Sequence, residues 1–477
     1  MRVLNWYQQD QQAVVDALRS GERPDMATTM SSGPLDELLA LHDELGLFAT
    51  LNEVPSLRRR RGLEDGLLLR TAAVLPFLET ASLSGASAQL FREPAILLLL
   101  GWSPLQLQIG DNERHRNPAG RQDVSLPCHP DTFRDALRRV EGQSWLKVQQ
   151  SGVRALFEQG LVEGYVYAID GTGLGDGLRL VCLVCVSAKR PLIVAWRLLS
   201  GSASEKGKEA TVTRSLIEQA EALGGAGCIK LLLVDALYAD GPLLAWLKYV
   251  KGIDVLVPLP CDREIHHDLL GLAAGGLLRF ERTSYVRTVQ GHKQRRTLEI
   301  GCQDGLTSWD SFIEAARGYG AENPHLWACL IRPIEPVDPN ADPWTLVSTR
   351  AWPNGMAAWQ AFRPRWHIEN DGYRELKEGW QLEAERWGRD LAVRQARVTL
   401  TCLAFNTAQV YLSQRGKTVA ARGIRRLRQS YRPQLGAAPV VIYIRDNFAV
   451  LPLEEFLTII DLPARRSLRP RVAVQPP

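Results

Sequence analysis

The change from helical to extended sequence patterns begins at Tyr165-Val166-Tyr167-Ala168-Ile169-Asp170-Gly171-Thr172-Gly173. The residues before the aspartate are β-branched, aromatic or apolar, which is typical of a buried strand. We predict that the strand ends at Asp170 and that the glycine-containing triplet after it turns the chain. The first strand of the predicted sheet therefore ends in a carboxylate.

Strands and helices then follow one another along the chain. The predicted strands cover residues 178–188, 192–199, 231–234 and 253–259, and the predicted helices cover residues 205–223 and 240–250. Three consecutive strands followed by alternating helices and strands indicate a mixed α/β sheet. One of these strands is the apolar run Leu231-Leu232-Leu233-Val234, and it ends at Asp235.

Asp170 and Asp235 occupy matching positions, because each directly follows a run of apolar strand residues. Open α/β sheets bind their ligands beyond the carboxyl ends of their strands, so the two side chains are candidates for one shared site. For either residue alone, capping of the following turn is the commoner role. Two such strand ends in one sheet, with a third carboxylate further along the chain, favour the shared site.

The third carboxylate comes from the segment Phe362-Arg363-Pro364-Arg365-Trp366-His367-Ile368-Glu369-Asn370-Asp371-Gly372-Tyr373-Arg374-Glu375-Leu376-Lys377, which is predicted to be helical. Arg365 and Glu369 are four positions apart and share a helix face. Taken alone, such a pair is most often a surface ion pair worth about 0.3–0.5 kcal/mol. Together with the two aspartates, Glu369 completes a trio of hard oxygen donors. Such a trio suits Mg²⁺ or Mn²⁺ better than zinc and can support in-line phosphoryl transfer on nucleic acid.

This arrangement resembles the bacterial insertion-sequence DDE transposases, whose RNase H-like core is interrupted in one branch by a β-rich insertion. In that branch the first Asp ends strand one, and the second ends strand four before an Ala-x-Tyr-like sequence, as in Val234-Asp235-Ala236-Leu237-Tyr238. The final Glu lies in a helix with the pattern Tyr, two residues, Arg, three residues, Glu, six residues, Lys. The resemblance covers residues 160–410. It implies catalytic and metal-binding roles for Asp170, Asp235 and Glu369, and DNA-binding roles for Arg365 and Lys377.

The sequence departs from the family pattern at two positions. Phe362 stands where the family has tyrosine, and seven residues instead of six separate Glu369 from Lys377. A shift of one residue turns a side chain about 100° around an α-helix, so a bulge before Lys377 would be needed to restore its alignment. Asp371 and Glu375 are rivals for the third carboxylate, but neither has an arginine at the family spacing.

The succession of predicted helices and strands, together with the resemblance, divides the chain into five regions. They are a helical N-terminal DNA-binding domain (1–155), the first part of the core (160–265), the β-rich insertion (266–349), the second part of the core with the glutamate helix (350–412) and a basic C-terminal region (413–477), which we expect to be helical. Within the insertion, strands are predicted at residues 278–289, 295–302, 327–333 and 344–348. In relatives the insertion carries an aromatic residue that holds a flipped base, and Trp309, Trp327 and Trp344 are the candidates. A core position is the commoner role for each tryptophan.

The net charge of +4 is small, but arginines and lysines cluster along the chain. The clusters are Arg58–Arg61, Arg114/Arg116/Arg121, Arg134/Arg138/Arg139, the insertion group Arg282/Arg287/Lys293/Arg295/Arg296, Arg422/Arg425/Arg426/Arg428/Arg432 and Arg465/Arg466/Arg469/Arg471. Each cluster is either ordinary solvated surface or a contact to the phosphate backbone of DNA.

The eight cysteines include one CxxC pair, Cys182 and Cys185, inside an apolar run. Residues three apart on a strand point to opposite faces, and no second pair follows, so we expect reduced core thiols and a cytoplasmic protein. The start of the chain lacks a signal-peptide pattern. Its longest apolar runs, such as residues 95–100, fall far short of the ~20 residues that span a bilayer, so we expect no membrane association.

These observations predict a DNA transposase that cleaves and joins strands with Mg²⁺ or Mn²⁺. The resemblance implies that its partners are the terminal inverted repeats of its element, the target DNA and a second copy of the chain in a homodimer. We expect it in the cytoplasm, associated with the nucleoid when it acts. Two alternatives remain at this stage, a catalytically silent DNA-binding relative and an RNase H-like nuclease without strand transfer.

Overall fold

The structure is a computed structural model of the chain. It describes residues 10–29, 35–55, 62–78, 82–85, 90–109, 127–200, 209–289, 292–335, 342–383, 387–414 and 439–460. The chain forms two compact units, which we call the terminal unit (Met1–Leu156 with Glu375–Pro477) and the central unit (Phe157–Arg374). The division falls inside the predicted region 350–412, shortly after Glu369.

The described strands and helices have the following bounds. The strands are β1 (Met26–Thr29), β2 (Val166–Gly173), β3 (Arg179–Cys185), β4 (Leu192–Leu199), β5 (Leu231–Val234), β6 (Asp254–Leu259), β7 (Phe280–Val289), β8 (His292–Leu306), β9 (Leu326–Glu335), β10 (Trp344–Ser348), β11 (Pro439–Ile444) and β12 (Asn447–Pro452). The α-helices span Gln11–Arg19, Leu35–Glu44, Leu47–Asn52, Asp65–Val74, Pro94–Leu99, Pro104–Ile109, Pro130–Arg138, Gly142–Glu158, Glu209–Gly224, Gly241–Tyr249, Glu264–Ala274, Asp310–Gly318, Gly355–Phe362, Arg365–His367, Leu391–Gln414 and Leu453–Ile460. Short 3₁₀ turns cover Leu75–Leu78, Leu90–Arg92 and Ala236–Tyr238, and π-helical segments cover Ile368–Tyr373 and Glu375–Gly379.

The central unit contains one nine-stranded sheet in the order β4-β3-β2-β5-β6-β10-β9-β8-β7. Strands β2, β3 and β4 are antiparallel neighbours, whereas β2, β5 and β6 run parallel. Strands β10, β9, β8 and β7 continue the sheet from β6 in antiparallel fashion. The prediction of a mixed α/β sheet is confirmed, and β4 and β5 have the predicted bounds.

Strand β2 is longer than predicted. It continues past Asp170 to Gly173, because its last three residues pair with β3. The chain reverses instead at Gly175-Asp176-Gly177, where all three φ angles are positive. Glycine enters that region without steric cost, so the second group of glycines, and not the first, forms the turn. The prediction that Asp170 ends its strand was therefore wrong.

The strands of the predicted insertion, residues 266–349, extend the same sheet. Strand β10 pairs with β6, with Val347 opposite Val257, and β9, β8 and β7 follow outward. The four strands predicted in this region are present, with β8 longer than expected. The helix Glu264–Ala274 contacts β10 through a buried hydrogen bond of 2.8 Å between His266 Nδ1 and Thr345 Oγ1.

The terminal unit contains a three-stranded sheet, which corrects the prediction of an all-helical N-terminal domain and a helical C-terminal region. Strand β1 pairs with β11, and β11 pairs with β12, both antiparallel. Arg445 and Asp446 connect β11 to β12 with φ angles of 47° and 64°. Two positive φ angles are characteristic of a tight type I′ hairpin turn. The β-branched and aromatic residues of β11 favour a strand over a helix.

The helices Gln11–Arg19 and Leu453–Ile460 contribute apolar side chains to a core shared with this small sheet. That core includes Val14, Val15, Leu18, Val440, Ile442, Ile444, Ala449, Leu451, Phe456 and Ile459. The helix Leu391–Gln414 is buried along most of its length, and its Thr407 Oγ1 lies 2.8 Å from Nδ1 of the buried His42. Among the described helices, none is both long and apolar enough to cross a membrane.

Candidate active site

The parallel pairing of β2 with β5 places the two predicted aspartates at the same level of the sheet. The last register pair is Ile169 opposite Val234, and Asp170 and Asp235 are the next residue on each strand. Strand β5 ends there, and Asp235 begins the 3₁₀ turn Ala236–Tyr238 without capping it through its side chain. The Asp235 side chain therefore does not cap the turn that follows it. Its carboxylate makes no capping hydrogen bond that would have to break before it could bind a ligand.

Asp170 is a buried carboxylate, with 7% of its surface exposed. Its Oδ1 accepts a hydrogen bond of 2.7 Å from the Gly171 N–H. Burial raises the pKa of the Asp170 carboxyl to about 6, and the negative charges of Asp235 and Glu369 add to the rise. The Gly171 N–H and the Arg365 guanidinium act in the opposite direction. Burial is thus the main cause of the raised pKa of Asp170, and the charges of Asp235 and Glu369 act on the same carboxylate.

Arg365 joins Asp170 to Glu369. Its Nη2 lies 2.8 Å from Glu369 Oε1, as the spacing of four residues predicts, and its Nη1 lies 3.5 Å from Asp170 Oδ2. The Arg365 side chain is only 8% exposed, whereas the Glu369 side chain is 49% exposed. The interpretation of this pair as an ordinary surface ion pair is therefore wrong, because the arginine is buried between a strand carboxylate and a helix carboxylate.

Phe362, which stands where the resemblance leads one to expect tyrosine, is buried at the end of the helix Gly355–Phe362. Its ring centroid lies 5.6 Å from the Arg365 guanidinium carbon and 6.5 Å from the Trp344 ring centroid. An aromatic face at this distance attracts a cation. Phe362 therefore helps to hold Arg365 in place without a hydroxyl.

The helix that carries Glu369 changes from α-helical to π-helical geometry at Ile368. A π-helical turn accommodates one more residue than an α-helical turn and occurs often at functional sites. The π-helical segment Ile368–Tyr373 follows directly on Arg365–His367 and includes Glu369. The segment thus begins just before Glu369 and ends before Lys377, and a wider turn of this kind can accommodate the additional residue that distinguishes this stretch from the pattern it resembles.

Tyr373, in the same π-helical segment, is a residue that the sequence did not single out. Its hydroxyl donates to the Asp170 carbonyl oxygen and accepts a hydrogen bond of 3.2 Å from the Cys182 N–H. Burial raises the pKa of the Tyr373 phenol well above its usual value, with the neighbouring Cys182 and Asp170 contributing, so the hydroxyl keeps its proton. The spacing of Tyr373 from Glu369, four residues, is the one signal that both share a helix face.

Lys377 lies in the terminal unit, in the π-helical segment Glu375–Gly379. Its Nζ forms an ion pair of 2.5 Å with Glu383. Of the two rivals of Glu369, Glu375 is the first residue of the second segment of the terminal unit, and the side chain of Asp371 lies outside the described part of the structure. Glu369 is the acidic residue of this helix that is linked to Asp170 through Arg365.

The candidate donors for a metal ion are three carboxylates, which are the oxygen ligands that Mg²⁺ and Mn²⁺ take in proteins. Within the described residues, no group of three or more His, Cys, Asp or Glu side chains is arranged so that it could hold a metal ion. The Arg365 guanidinium instead contacts two of the three carboxylates. The donor chemistry fits a divalent cation, provided that the guanidinium gives up at least one of these contacts when the cation binds.

Comparisons with protein-family models and with curated protein sequences give no match to this chain. No family membership follows from them. The roles considered for Asp170, Asp235 and Glu369 therefore rest on the geometry and electrostatics described above.

The three candidate tryptophans have different surroundings. Trp327 is buried within β9, 3% exposed, as expected of a core residue. Trp309 and Trp344 are half-buried. Of these two, Trp344 belongs to β10, which neighbours β6 in the sheet, and Trp309 precedes the helix Asp310–Gly318.

The described basic clusters are partly neutralised by acidic neighbours. On the helix Pro130–Arg138 and its end, Arg134, Arg138 and Arg139 form ion pairs with Asp131 at 2.6 Å, Asp390 at 3.9 Å and Asp135 at 2.6 Å. In the insertion, Arg282 pairs with Glu299 at 2.9 Å, and Lys293 and Arg295 are exposed. The clusters Arg58–Arg61, Arg114/Arg116/Arg121, Arg422–Arg432 and Arg465–Arg471 lie outside the described residues. The eight cysteines, Cys182 and Cys185 among them, are free thiols.

Proposed function

We propose that this protein is a DNA transposase that cleaves and joins DNA strands with the help of Mg²⁺ or Mn²⁺. One observation carries the proposal. Asp170 and Asp235 directly follow the last pair of residues that joins the parallel strands β2 and β5, and Glu369 is joined to Asp170 through the buried Arg365. The charges of Asp235 and Glu369 both raise the pKa of the Asp170 carboxyl, so three carboxylates from distant parts of the chain come together at one site.

The chain order of the sheet supports an RNase H-like core. β2 is the first strand of the sheet and bears the first aspartate, and β5 is the fourth and is followed by the second, as the resemblance implies. The first three strands form an antiparallel meander, and the fourth returns parallel to the first. Strands β7 to β10 lie between Asp235 and Glu369 in sequence, which supports a core interrupted by a β-rich insertion.

In this proposal Asp170, Asp235 and Glu369 would hold a divalent cation, whose chemistry would be the activation of a water or a 3′-hydroxyl and the stabilisation of charge on the leaving oxygen of a phosphodiester. Asp170 is fixed by its strand and by the Gly171 N–H, whereas the exposed side chain of Glu369 is free to adjust. Arg365 presents a buried guanidinium at the same place, and a guanidinium binds phosphate through two parallel hydrogen bonds. Arg365 and Lys377 are the proposed DNA-phosphate contacts.

The partners of the proposed transposase are the terminal inverted repeats of its element and its target DNA, bound by a homodimer on paired ends. Such an enzyme would act in the cytoplasm, associated with the nucleoid. The exposed cations Lys293 and Arg295 of the insertion are available to track a DNA backbone.

The test uses purified full-length protein and a DNA fragment carrying the sequences that flank its coding region on both sides. Cleavage and strand joining are measured in Mg²⁺ and in Mn²⁺ for the wild type and for Asp170→Asn, Asp235→Asn and Glu369→Gln. We expect each variant to lose activity by more than about 100-fold while it retains binding to the fragment, because each removes a metal-binding carboxylate. Glu375→Gln is the matched control from the same segment and is expected to cleave like the wild type.

The outcomes separate the alternatives. Cleavage without joining of strands indicates a nuclease of RNase H-like type, and binding without cleavage by the wild type indicates a silent DNA-binding relative. Loss of cleavage in Glu375→Gln with retention in Glu369→Gln assigns the third carboxylate to Glu375. If neither binding nor cleavage of the flanking DNA occurs in either metal, the proposed function is wrong.

A further inference from the structure

Tyr373 connects the helix of Glu369 to the strand of Asp170. It lies four residues after Glu369 in the same π-helical segment, and only 5% of its surface is exposed. Its hydroxyl is bonded to the backbone of β2 and β3 and makes no contact with the Asp170 carboxylate among the described interactions. A role for Tyr373 therefore has to act through the backbone.

The two backbone groups that Tyr373 contacts belong to one cross-strand pair. Asp170 on β2 lies opposite Cys182 on β3. The Tyr373 hydroxyl donates to the carbonyl of the first and accepts from the N–H of the second. Buried backbone groups need hydrogen-bond partners, and a single hydroxyl can satisfy one donor and one acceptor at the same time.

The helix of Glu369 is consequently attached near Asp170 at two points. Arg365 makes the side-chain attachment, with its guanidinium between the carboxylates of Asp170 and Glu369. Tyr373 makes the backbone attachment, at the carbonyl of the same aspartate. A guanidinium that releases a carboxylate to admit a cation weakens the first attachment. The second uses no carboxylate oxygen and can persist when a cation is bound.

We propose that Tyr373 is a positioning residue, whose hydroxyl holds the Asp170 backbone and the Glu369 helix at the spacing that a divalent cation requires. This inference rests on the proposed function, because it assigns Asp170 and Glu369 as ligands of that cation. Residues that orient metal ligands are needed almost as strictly as the ligands, and their loss typically weakens metal binding by about 10–100-fold.

The experiment measures Mn²⁺ binding to the full-length protein by calorimetry, without DNA, so that activity is not the readout. Tyr373→Phe removes only the hydroxyl, and we expect Mn²⁺ to bind about 10–100-fold more weakly. The matched control is Tyr411→Phe, which removes the hydroxyl of another buried tyrosine, bonded to Glu37 at 2.9 Å. The control is expected to bind Mn²⁺ like the wild type. Circular dichroism and hydrogen exchange of the β2 and β3 segments verify that the variants are folded.

A second variant tests the positioning role if Tyr373→Phe does not fold. p-Aminophenylalanine incorporated at position 373 retains a group that donates to the Asp170 carbonyl from the same place, and we expect Mn²⁺ affinity within about threefold of the wild type. Wild-type affinity in a folded Tyr373→Phe protein overturns the positioning role and leaves the proposed function standing. Loss of Mn²⁺ affinity in a folded p-aminophenylalanine protein likewise overturns the positioning role and leaves the proposed function standing. A wild-type protein that binds no Mn²⁺ overturns both proposals.

Discussion

Arg365 Nη1 lies 3.5 Å from Oδ2 of Asp170, across 195 positions of sequence. The two side chains are 8% and 10% exposed, so neither charge is well solvated. Removing one partner of a buried ion pair leaves the other charge uncompensated, which costs far more than the loss of a surface pair. Each of these two charges therefore depends on the other in the metal-free site, although the proposed function requires their contact to loosen.

Arg365→Met is expected to lower the free energy of unfolding of the central unit by about 3–5 kcal/mol, because Asp170 is left buried without its cation. Asp170→Asn in the same chain should restore a large part of this loss. Urea denaturation followed by hydrogen exchange of β2 and β5 measures both effects. The exposed pair of Arg282 with Glu299 provides the control, since Arg282→Met should cost at most about 1 kcal/mol. If the double variant Arg365→Met/Asp170→Asn were no more stable than Arg365→Met, the buried charge of Asp170 would not be the cause of the lost stability.

Mn²⁺ should raise the Tm of Arg365→Met by more than it raises the Tm of the wild type. In the variant the cation replaces a missing positive charge, whereas in the wild type it has to displace the guanidinium from Asp170 or Glu369. A ligand stabilises the folded state according to its affinity for that state, so the difference in Tm shift reports the competition. Thermal melts with and without Mn²⁺ measure it, with Ca²⁺ as a second oxygen-seeking ion. An equal or smaller shift in Arg365→Met contradicts competition between the guanidinium and the cation.

Phe362→Tyr introduces the tyrosine found in the transposase pattern that this sequence resembles, but it should raise neither the stability nor the cleavage activity of the protein. Phe362 is 6% exposed, so a hydroxyl added to its ring would lose its hydration and would need a hydrogen-bond partner among the buried residues around it. An unsatisfied buried polar group costs about 1–3 kcal/mol. Chemical denaturation should therefore show a less stable central unit, with cleavage of the flanking DNA no greater than in the wild type. A more stable or more active Phe362→Tyr protein would mean that the hydroxyl finds a partner after all.

The sheet, the position of Asp235 and the pairing of Glu369 with Arg365 were predictable because each is indicated by residues close together in sequence. The apolar run of β5 and the aspartate after it stand side by side in sequence, and the Arg365–Glu369 pair follows from the spacing of four residues. Strand β1 gave no such signal. It has four residues, and its partner β11 lies near the other end of the chain, so no sequence window contains both.

The role of Tyr373 was beyond local patterns for a related reason. Its contacts with Asp170 and Cys182 span 203 and 191 positions, and they depend on a π-helical segment that apolar periodicity does not announce. The longer β2 was missed because two glycine groups follow Asp170 and only pairing with β3 decides between them. Tertiary contacts, and not residue propensities, determined each of these features.

The stability of the terminal unit should fall as the pH falls below about 6.5, the usual pKa of histidine, because of His42. Burial lowers the pKa of His42 to about 3, so the folded state stays unprotonated while the unfolded chain takes up a proton. The expected loss is about 1.4 kcal/mol of unfolding free energy for each pH unit below 6.5, ending near the folded pKa. Urea denaturation at pH 7, 6 and 5 measures it. In His42→Gln the unfolding free energy should fall less steeply with pH, by this amount for each pH unit. An identical dependence on pH in both proteins would exclude His42 as the source of the loss.

The same substitution, glycine to alanine, should have opposite effects at two helical positions. At Gly152 an added Cβ would lie 2.5 Å from Leu47 Cδ2 and 2.6 Å from Leu403 Cδ2, and both leucines are buried. Overpacking of this kind costs about 1–3 kcal/mol, which exceeds the gain in helix propensity. At Gly271, in the exposed part of the helix Glu264–Ala274, an added Cβ meets nothing within 4 Å. Gly271→Ala should therefore stabilise the helix Glu264–Ala274 by up to about 1 kcal/mol, whereas Gly152→Ala should destabilise the helix Gly142–Glu158. Hydrogen exchange of the two helices measures each effect separately, and a stabilised Gly152→Ala would show that Leu47 and Leu403 move aside without cost.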